Sequence, residues 1–468
     1  MLGQKDRIEN GMENYKKDGL KQLRDGEKLS FGEEIALILK LSFPAILAQI
    51  SSTIMQYIDA SMVGRLGPTA SASIGLVSSS TWLIGGIISA AGMGFTIRVA
   101  HKIGAKEDQI ARNIVKWGLL CSFLFSLIVT VISVILSFYL PELMGGEEAI
   151  RKNASLYFLI YSLTIPVQEL LIVSQGMLQS SGNIRLPSML NVIMCGLDVL
   201  FNYLLIPRLE VAGAALGTTI AKIIITGIML YYLLVKSESL SLFGRKDNYN
   251  MNFRRFIKME IPKAMQIAIP IAADSAIMGF AYVAFTKIVS PFGTASIAAN
   301  SFAITAESLC YMPGYGIGVA ASTVVGQCIG AKRNELGKRL GWIAVVLGIL
   351  IMGSSGFLMY IFAPQMIGIL TPDREIRELG VKILRIEAFA EPLYGASIVS
   401  AGVFRGAGET FMSSVLNLVS VWVVRIPLAI LLGSRFGLVG AWIAMCTELC
   451  VRGTLFLIRL ALWNRKHF

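Results

Sequence analysis

The tetrapeptide IGAK stands at residues 103–106 and again, unchanged, at residues 329–332. A shift of 226 positions carries the first copy onto the second, and it superposes long stretches of the two halves without a gap. The other residues that coincide at this shift are Pro44 with Pro270, Gly67 with Gly293, Gly92 with Gly318, Pro166 with Pro392, Ser174 with Ser400, Gly182 with Gly408, and Leu190 and Asn191 with Leu416 and Asn417. Chance does not keep one offset for so long, so the chain contains an internal repeat.

Each repeat is rich in apolar stretches long enough to cross a bilayer. Hydrophobic residues make up 54% of the chain and charged residues 15%, whereas a soluble domain has roughly 25% charged residues. Runs of about 20 apolar residues predict spans at 37–63, 70–98, 112–140, 152–181, 186–207, 211–236, 260–290, 296–328, 336–363, 377–405, 411–433 and 437–461. The predicted fold class is an all-α integral membrane protein with twelve transmembrane helices in two parallel six-helix lobes, related by a pseudo-two-fold axis along the membrane normal.

Basic residues are concentrated in alternate turns between the spans, and the net charge is +12. These clusters are Lys5, Arg7, Lys16, Lys17, Lys21, Arg24 and Lys28 before span 1, Arg98, Lys102, Lys106 and Arg112 after span 2, Arg245, Lys246, Arg254, Arg255 and Lys258 between the halves, Lys332, Arg333, Lys338 and Arg339 after span 8, and Arg465 with Lys466 at the end. This distribution follows the positive-inside rule. Both termini are therefore expected in the cytoplasm, and nucleic acid is not expected as a partner.

The longest polar connection, residues 237–255, separates the two repeats. The predicted organisation is a cytoplasmic segment at 1–35, an N-lobe with spans 1–6 at 36–236, a cytoplasmic linker at 237–257, and a C-lobe with spans 7–12 at 258–468. Transporters built from such repeats place the substrate pathway between the halves.

The residues needed for enzymatic chemistry are missing from the predicted spans. The six cysteines contain no C-x-x-C pair, so neither a disulfide framework nor a zinc site is indicated. The only histidines are His101 and His467, both at predicted cytoplasmic ends, so a Ser-His mechanism lacks its base. No phosphate-binding loop for ATP is present. We therefore expect no enzyme, no ATP-driven pump and no cofactor.

Several acids lie within the predicted spans, where a charge costs about 2.5–3.5 kcal/mol or more. They are Asp59, Asp198, Asp274, Glu307, Glu391 and Glu448. Asn202 follows Asp198 by four residues and Asn191 precedes it by seven, so the three share one helical face. This polar stripe suits a proton site or a site for a hard monovalent cation. The alternative is a hydrogen-bond network that only holds helices together.

Two cations, Lys222 and Arg425, also lie deep within predicted spans. They are interpreted either as partners of the buried acids or as substrate contacts. Glu448 and Arg452 are four residues apart and predict a local ion pair.

Two methionines, Met55 and Met62, share the helical face of Asp59 in span 1. Flexible thioethers suit a cavity that accepts varied ligands, with ordinary packing as the alternative. Both are therefore predicted to line a substrate cavity.

Five stretches together resemble the multidrug and toxic compound extrusion (MATE) family, part of the MOP flippase superfamily, over roughly residues 35–460. They are FPAILAQISSTIMQYIDASMVGRLG (43–67), MGFTIRVAHKIGAK (93–106), VAGAALGTTIA (211–221), FGTASIAANSFA (292–303) and VFRGAGET (403–410). The resemblance implies two six-helix lobes around a cavity that opens alternately to either side. It also implies export of mostly cationic amphipathic compounds against inward flow of H+ or Na+.

The resemblance further implies a site for the coupling ion in the N-lobe. Asp59 matches the family's acid in span 1, and Thr218 matches a hydroxyl-bearing position in span 6. Members with an N-lobe ion site show Asn and then Asp in span 5, whereas here Asp198 precedes Asn202. The predicted ion-coupling residues are Asp59, Asp198, Asn202 and Thr218, with no metal beyond Na+ at these residues.

The C-lobe differs from that of the NorM branch of the family. The two C-lobe acids of that branch fall here on Met278 and Tyr394, so its ion site is not expected. Asp274 matches a Glu shortly after the span-7 proline in DinF-like members, so the chain resembles the DinF-like side. The predicted substrate cavity contains Met55, Met62, Asn191, Asp274 and Arg425.

The predicted function is an ion-coupled antiporter that exports cationic amphipathic drugs or metabolites by alternating access. The protein is expected to act as a monomer, surrounded by lipid, in the inner (cytoplasmic) membrane of a prokaryote. The nearest alternative is a flippase or exporter of a lipid-linked or anionic amphiphile. Such a substrate would need several cations in the cavity to meet its phosphates, and Lys222 with Arg425 keeps this alternative open.

Overall fold

The described part of the chain is helical and contains no β-strand. The computed structural model describes residues 19–144, 148–243, 251–371 and 373–463. Some residues used in the sequence prediction lie outside these ranges, namely Lys5, Arg7, Lys16, Lys17, Arg245, Lys246, Arg465, Lys466 and His467. The orientation inferred from them stays a prediction.

The first half of the chain forms spans 1–6. Span 1 starts at Phe31, inside the segment predicted to precede it, because Ser30 and Glu33 form a capping box there. The helices of this half are Gly19–Asp25, span 1 (Phe31–Gly64), span 2 (Pro68–Gly104), span 3 (Asp108–Ser137), Leu140–Leu143, span 4 (Glu148–Ser180), and Arg185–Tyr231 with a π-helical end at Tyr232–Lys236. The last helix holds spans 5 and 6, which meet at Glu210, where the backbone is not helical.

The second half repeats this arrangement. Its helices are Phe253–Met259, span 7 (Ile261–Val289), the 3₁₀ turn Ser290–Phe292, span 8 (Thr294–Gly330), span 9 (Asn334–Leu370), span 10 (Arg374–Glu387 and Glu391–Ala407), and Thr410–Val419, which continues through a π-helical segment (Ser420–Arg425) into Ile426–Ala461. Spans 11 and 12 share this last run and meet at Gly437.

The two halves confirm twelve membrane spans, although only nine described helices pass a simple test of length and hydropathy. Two of the nine are 52 residues long and hold two spans each. Span 10 is missing from the nine because its two helices have only 14 and 17 residues. The twelve helices in two lobes therefore agree with the prediction from sequence.

Span 10 is interrupted by a three-residue turn at 388–390, which the predicted span at 377–405 did not include. The first helix ends at Glu387 and the second begins at Glu391. Pro392 lies in the first turn of the second helix, where its missing N–H costs nothing, and inside a continuous helix its ring would clash with the carbonyl of Ala388. Pro392 therefore marks the start of the second helix of span 10.

Glu210 and Gly437 turn the chain between the last two spans of each lobe. Glu210 has φ 50° and ψ −124°, and Gly437 has φ 59° and ψ −141°. This backbone conformation favours glycine, yet the first lobe has an exposed glutamate there. The turn therefore has one shape in both lobes although its residue differs.

The lobes pack against each other through spans 1 and 8 and through spans 2 and 7. A Cβ atom on Gly316 of span 8 would lie 2.6 Å from the backbone nitrogen of Ile46 in span 1. A Cβ atom on Gly94 of span 2 would lie 2.5 Å from the carbonyl oxygen of Ala264 in span 7. Glycines thus allow the backbones of the two lobes to touch.

Spans 2 and 8 cross at the two IGAK repeats, next to basic turns; we call these ends of the spans the inner ends. A Cβ atom on Gly104 would lie 2.1 Å from the carbonyl oxygen of Gln327. A Cβ atom on Gly330 would lie 1.9 Å from the carbonyl oxygen of His101. Because the repeat offset carries residues 101 and 104 onto 327 and 330, these are two copies of one contact.

Two hydrogen bonds at the inner ends repeat the same symmetry. Nε2 of His101 donates to the carbonyl oxygen of Gly406 at 2.8 Å, and Nε2 of Gln327 donates to that of Ser180 at 2.8 Å. The offset that relates His101 to Gln327 also relates Ser180 to Gly406. We call these two bonds and the two glycine contacts the inner latch. It joins the inner ends of the two lobes in this conformation.

Candidate ion-coupling site

Three of the predicted ion-coupling residues meet inside the N-lobe. Nδ2 of Asn202 donates to Oδ1 of Asp59 at 2.8 Å and to Oδ2 of Asp198 at 3.1 Å. Asp198 and Asn202 have no exposed surface, and Asp59 is partly buried. One amide group on span 5 therefore holds a carboxyl from span 1 beside a carboxyl from its own span.

The cluster contains polar oxygens that find no partner in the described part of the protein. These are Oδ1 of Asp198 and Oδ1 of Asn202, both fully buried. A buried polar atom without a hydrogen bond is costly. Two carboxylates that face one donor also repel each other. Binding a proton or a monovalent cation at the cluster would relieve both problems.

Thr218 does not join this cluster. Its hydroxyl donates to the carbonyl oxygen of Ala214, four residues earlier in span 6, at 3.2 Å. Lys222, one helical turn further along, donates to Oε1 of Gln168 at 3.0 Å, and its charge also acts on Asp59. The structure therefore brings together three of the four predicted residues and adds a cation nearby.

Gly217 of span 6 lies against the side chain of Asn202, and the sequence analysis did not identify it. A Cβ atom at this position would lie 2.0 Å from Oδ1 of Asn202. The signal in the sequence is the run of small residues AGAALG at 212–217, which is typical of closely packed membrane helices. The lack of a side chain at Gly217 therefore leaves the space that the Asn202 side chain occupies.

Replacing Gly217 with alanine should weaken the ion coupling predicted from the sequence by roughly fivefold or more, because Asn202 must move away from both carboxyls and a coupling of about 1–3 kcal/mol is lost. Initial rates of gradient-driven dye transport in proteoliposomes measure this effect. Gly227→Ala is the matched control on the same span, since a Cβ atom there meets nothing within 4 Å. Equal rates for the two variants would contradict the role given to Gly217.

The residues predicted to line a cavity in the N-lobe are packed in this conformation. Met55 is 7% exposed and belongs to the apolar core of the lobe. Met62 packs against a smaller apolar cluster that includes Val63. Nδ2 of Asn191 donates to Oε1 of Gln175 at 3.3 Å. Both methionines pack against apolar neighbours in this conformation, and their role in a substrate cavity stays a prediction.

The predicted C-lobe residues are held by polar partners. Nδ2 of Asn417 donates to both carboxyl oxygens of Asp274, each at 3.1 Å. Glu448 accepts from Nε and Nη2 of Arg425 at 2.9 and 2.6 Å, and from Nε and Nη2 of Arg452 at 2.7 and 2.8 Å. The predicted Glu448–Arg452 ion pair is therefore present, and Arg425 joins it.

The structure has two six-helix lobes, a buried acid pair and a reciprocal contact between the repeats. Together these features define a membrane transporter with two pseudo-symmetric halves. The family model described as MatE matches residues 44–204 and 270–431. The chain belongs to the MatE family, and it is a multi-pass membrane transporter.

Curated relatives extend over almost the whole chain. A "Probable multidrug resistance protein NorM" of Thermotoga maritima is 27% identical over 436 residues, which cover 90% of this chain and 91% of that protein. A protein of the same name from Bacillus cereus is 25% identical over 464 residues, covering 94% and 98%. Because these relatives carry the name NorM, placement on the DinF-like side stays a prediction.

Solved structures share the fold at low sequence identity. A "Crystal structure of MATE in complex with MaL6" has a TM-score of 0.86 and 20% identity, covering 95% of this chain and 99% of that one. A MOP superfamily transporter from Pyrococcus furiosus, described by a "reverse polarity of binding pocket", has a TM-score of 0.86 and 20% identity, covering 95% and 98%. These likenesses confirm the two-lobed fold.

Proposed function

We propose that the protein exports cationic amphipathic compounds in exchange for an inward-moving ion, and that the ion binds between Asp59 and Asp198. The observation that carries this proposal is the pair of carboxyls sharing the amide of Asn202 in a buried site. The names of the curated relatives, which are called probable multidrug resistance proteins, support a drug-like substrate.

The geometry favours H+ over Na+ as the coupling ion. The donor nitrogen of Asn202, and not its oxygen, faces both carboxyls. A sodium ion prefers several oxygen ligands, so the amide of Asn202 would have to rotate and present its oxygen before sodium could bind. A proton bound to either carboxyl lets that group donate to the other, which removes the repulsion without moving Asn202.

The transport cycle follows from a difference in ion affinity between two conformations. Proton binding stabilises the closely packed arrangement of spans 1, 5 and 6, and this arrangement binds substrate weakly. Substrate then leaves to the outside. Loss of the proton to the cytoplasm restores the repulsion between Asp59 and Asp198, so the spans separate and substrate can bind again.

One observation favours a second candidate, the export of an anionic amphiphile. Arg405 in span 10 donates from Nε to the carbonyl oxygen of Ala401 at 3.3 Å, and no carboxylate in the described part of the chain pairs with it. An unpaired guanidinium of this kind can bind a phosphate or a carboxylate of a substrate. The pocket of the similar Pyrococcus furiosus transporter is described as having reversed polarity.

The cellular setting is part of the proposal. We place the protein in the inner membrane of a prokaryote, with both termini in the cytoplasm, since the basic clusters follow the positive-inside rule. It acts as a monomer, because each chain already contains both lobes of one transport pathway.

Transport driven separately by a pH gradient and by a Na+ gradient tests the proposal. Purified protein in liposomes should accumulate ethidium, a cationic dye, when only the pH gradient is present, and an ionophore that collapses the gradient should stop accumulation. A fluorescent anionic lipid offered in parallel should not move. Movement of the lipid but not of the dye would replace the first candidate with the second, and a response to Na+ alone would replace the ion.

A further inference from the structure

The hydroxyl of Tyr57 reaches from span 1 of the N-lobe to span 8 of the C-lobe. It donates to the carbonyl oxygen of Thr305 and lies 3.0 Å from Oγ of Ser308. Oγ of Ser308 donates to the same carbonyl oxygen at 2.7 Å, so the three groups form one small network. The Tyr57 side chain therefore joins the two lobes through a hydrogen bond to the backbone.

This contact lies in the outer half of the interface between the lobes. Ile46 approaches Gly316 closely, and Gly316 lies between Thr305 and the inner end of span 8. Tyr57 follows Ile46 by eleven residues and Thr305 precedes Gly316 by eleven, so the two spans run side by side in opposite directions. At about 1.5 Å per residue, the Tyr57 contact lies about 16 Å further out. The outer parts of spans 1 and 8 cannot separate there while this bond is made.

Span 1 carries the candidate ion site at the same level. Asp59 follows Tyr57 by two residues, and residues two apart on a helix do not face each other. Oδ1 of Asp59 accepts from Asn202 of span 5 inside the N-lobe, whereas Tyr57 bonds to span 8 of the opposite lobe. One turn of span 1 is thus held by the ion site on one face and by the C-lobe on another.

The second repeat has neither of these features. The offset of 226 residues carries Tyr57 onto Val283 and Asp59 onto Phe285. The Val283 side chain has no hydrogen-bonding group and is 45% exposed. The hydroxyl and the acid therefore occur together in span 1 and are absent together from span 7, in contrast to the inner latch, which both repeats form.

A small shift of span 1 is enough to change both contacts. Two ionised carboxyls at Asp59 and Asp198 repel each other, and a proton removes the repulsion. A hydrogen bond is lost once its heavy atoms are about 3.6 Å apart, so a displacement of span 1 by about 1 Å separates Tyr57 from span 8. In this structure the packed ion site and the Tyr57 bond are present together.

We propose that Tyr57 is a positioning residue that transmits the state of the Asp59–Asp198 pair to the interface between the lobes. Its bond to span 8 is made while the pair is neutral, and it breaks when ionisation of the pair displaces span 1. The outer seam between spans 1 and 8 thus closes behind the departing substrate once the proton is bound. This inference rests on the proposed proton-coupled export and deepens it.

Other titratable groups also surround these two side chains. Besides Asp198, the groups that interact electrostatically with Asp59 or Tyr57 are Tyr157 of span 4, Cys195 of span 5, Lys222 of span 6 and Tyr311 of span 8. Of these, only Asp198 is a second carboxyl. The pH dependence expected below is therefore assigned to the acid pair.

Distances between spin labels at the outer ends of spans 1 and 8 test this role. Labels at Arg65→Cys and Ile297→Cys, two exposed positions on opposite lobes, are placed in full-length protein whose native cysteines are replaced by alanine. Protein with native Tyr57 should gain a short-distance population at acidic pH. Tyr57→Phe should lower this population by roughly two- to tenfold, the range for loss of one hydrogen bond. At alkaline pH the two should agree, because the bond is already broken.

The matched control is Tyr282→Phe, an exposed tyrosine of span 7 next to the position equivalent to Tyr57. It should leave the distances unchanged. An equal loss of the short-distance population at both pH values would show a merely structural bond and overturn the inference, as would no loss at acidic pH. Ser308→Ala removes one partner of the hydroxyl, so it should have a smaller effect in the same direction. It replaces Tyr57→Phe if that variant is not monodisperse in size-exclusion chromatography.

The outcomes separate this inference from the proposed function. Asp198→Asn should abolish the pH response of the label distance, whereas dye transport driven by a pH gradient tests export itself. Protein that exports with a pH gradient, but whose label distances ignore Tyr57→Phe, keeps the proposed function and loses the role of Tyr57. Protein without such export loses the proposed function, and this inference with it.

Discussion

Exchange of Asp198 for asparagine is expected to lower export driven by a pH gradient by roughly 5- to 150-fold, the range for loss of a coupling free energy of about 1–3 kcal/mol. Asparagine has nearly the same shape, so the helix packing around position 198 is kept. It cannot be ionised, however, and the alternation between a repelling and a neutral pair with Asp59 is lost. Initial rates of dye accumulation in proteoliposomes measure the loss.

The control for this prediction is substrate exchange, which needs no ion gradient. Exchange of labelled for unlabelled substrate across the liposome membrane, without a gradient, should lose its dependence on pH in Asp198→Asn, because the pair can no longer switch between a repelling and a neutral state. The exposed variant Glu210→Gln should match the wild type in both assays. A variant at Asp198 that keeps full gradient-driven transport would remove the N-lobe site from the mechanism.

Alanine at both Gly104 and Gly330 is expected to open the inner latch and to lower transport by roughly tenfold, at a cost of about 1.4 kcal/mol in the closed state. The added Cβ atoms would lie 2.1 and 1.9 Å from backbone carbonyl oxygens of the opposite span, and backbone atoms cannot rotate away. Alanine is a better helix former than glycine, so a loss of inner closure cannot come from weaker helices.

Labelling of a single cysteine reports the same change directly. Cys328 is fully buried, two residues before Gly330, in an apolar cluster of C-lobe residues that also includes residues of span 1 and of the helix Gly19–Asp25. In a variant that keeps only this cysteine, a membrane-permeable thiol reagent should react faster once the latch is opened. Gly75→Ala is the control, since it lies on span 2 where a Cβ atom meets nothing within 4 Å. Unchanged labelling in the double alanine variant would contradict the latch.

The repeat offset was enough to predict two lobes of six spans, because hydrophobic length and self-similarity are properties of the sequence alone. The break in span 10 was not predictable in this way. Pro166 and Pro392 occupy matching positions, yet span 4 is continuous around Pro166 and span 10 is interrupted before Pro392. Span 9 packs on the break through Gly356, and a hydropathy pattern does not contain such a contact.

In the candidate ion site too, some residues could be predicted from the sequence pattern, whereas others depend on packing that the sequence does not show. Helical spacing placed Asp198 and Asn202 on one face, and the family resemblance added Asp59, so these three could be named from the sequence. The role of Thr218 stays a prediction, because a hydroxyl inside a helix often bonds to the carbonyl four residues earlier, and here it does so. Gly217 was missed because a residue without a side chain has no chemistry to recognise.

The inner latch bears on the origin of the protein. In the inner latch, each repeat contacts the other through matching residues. Two identical single-lobe chains would make the same contact across a true two-fold axis. An ancestral gene for one lobe could thus have encoded a self-closing dimer, and duplication with fusion would have kept its closure intact. Once joined, the copies were free to diverge, and histidine now faces Gly406 where glutamine faces Ser180.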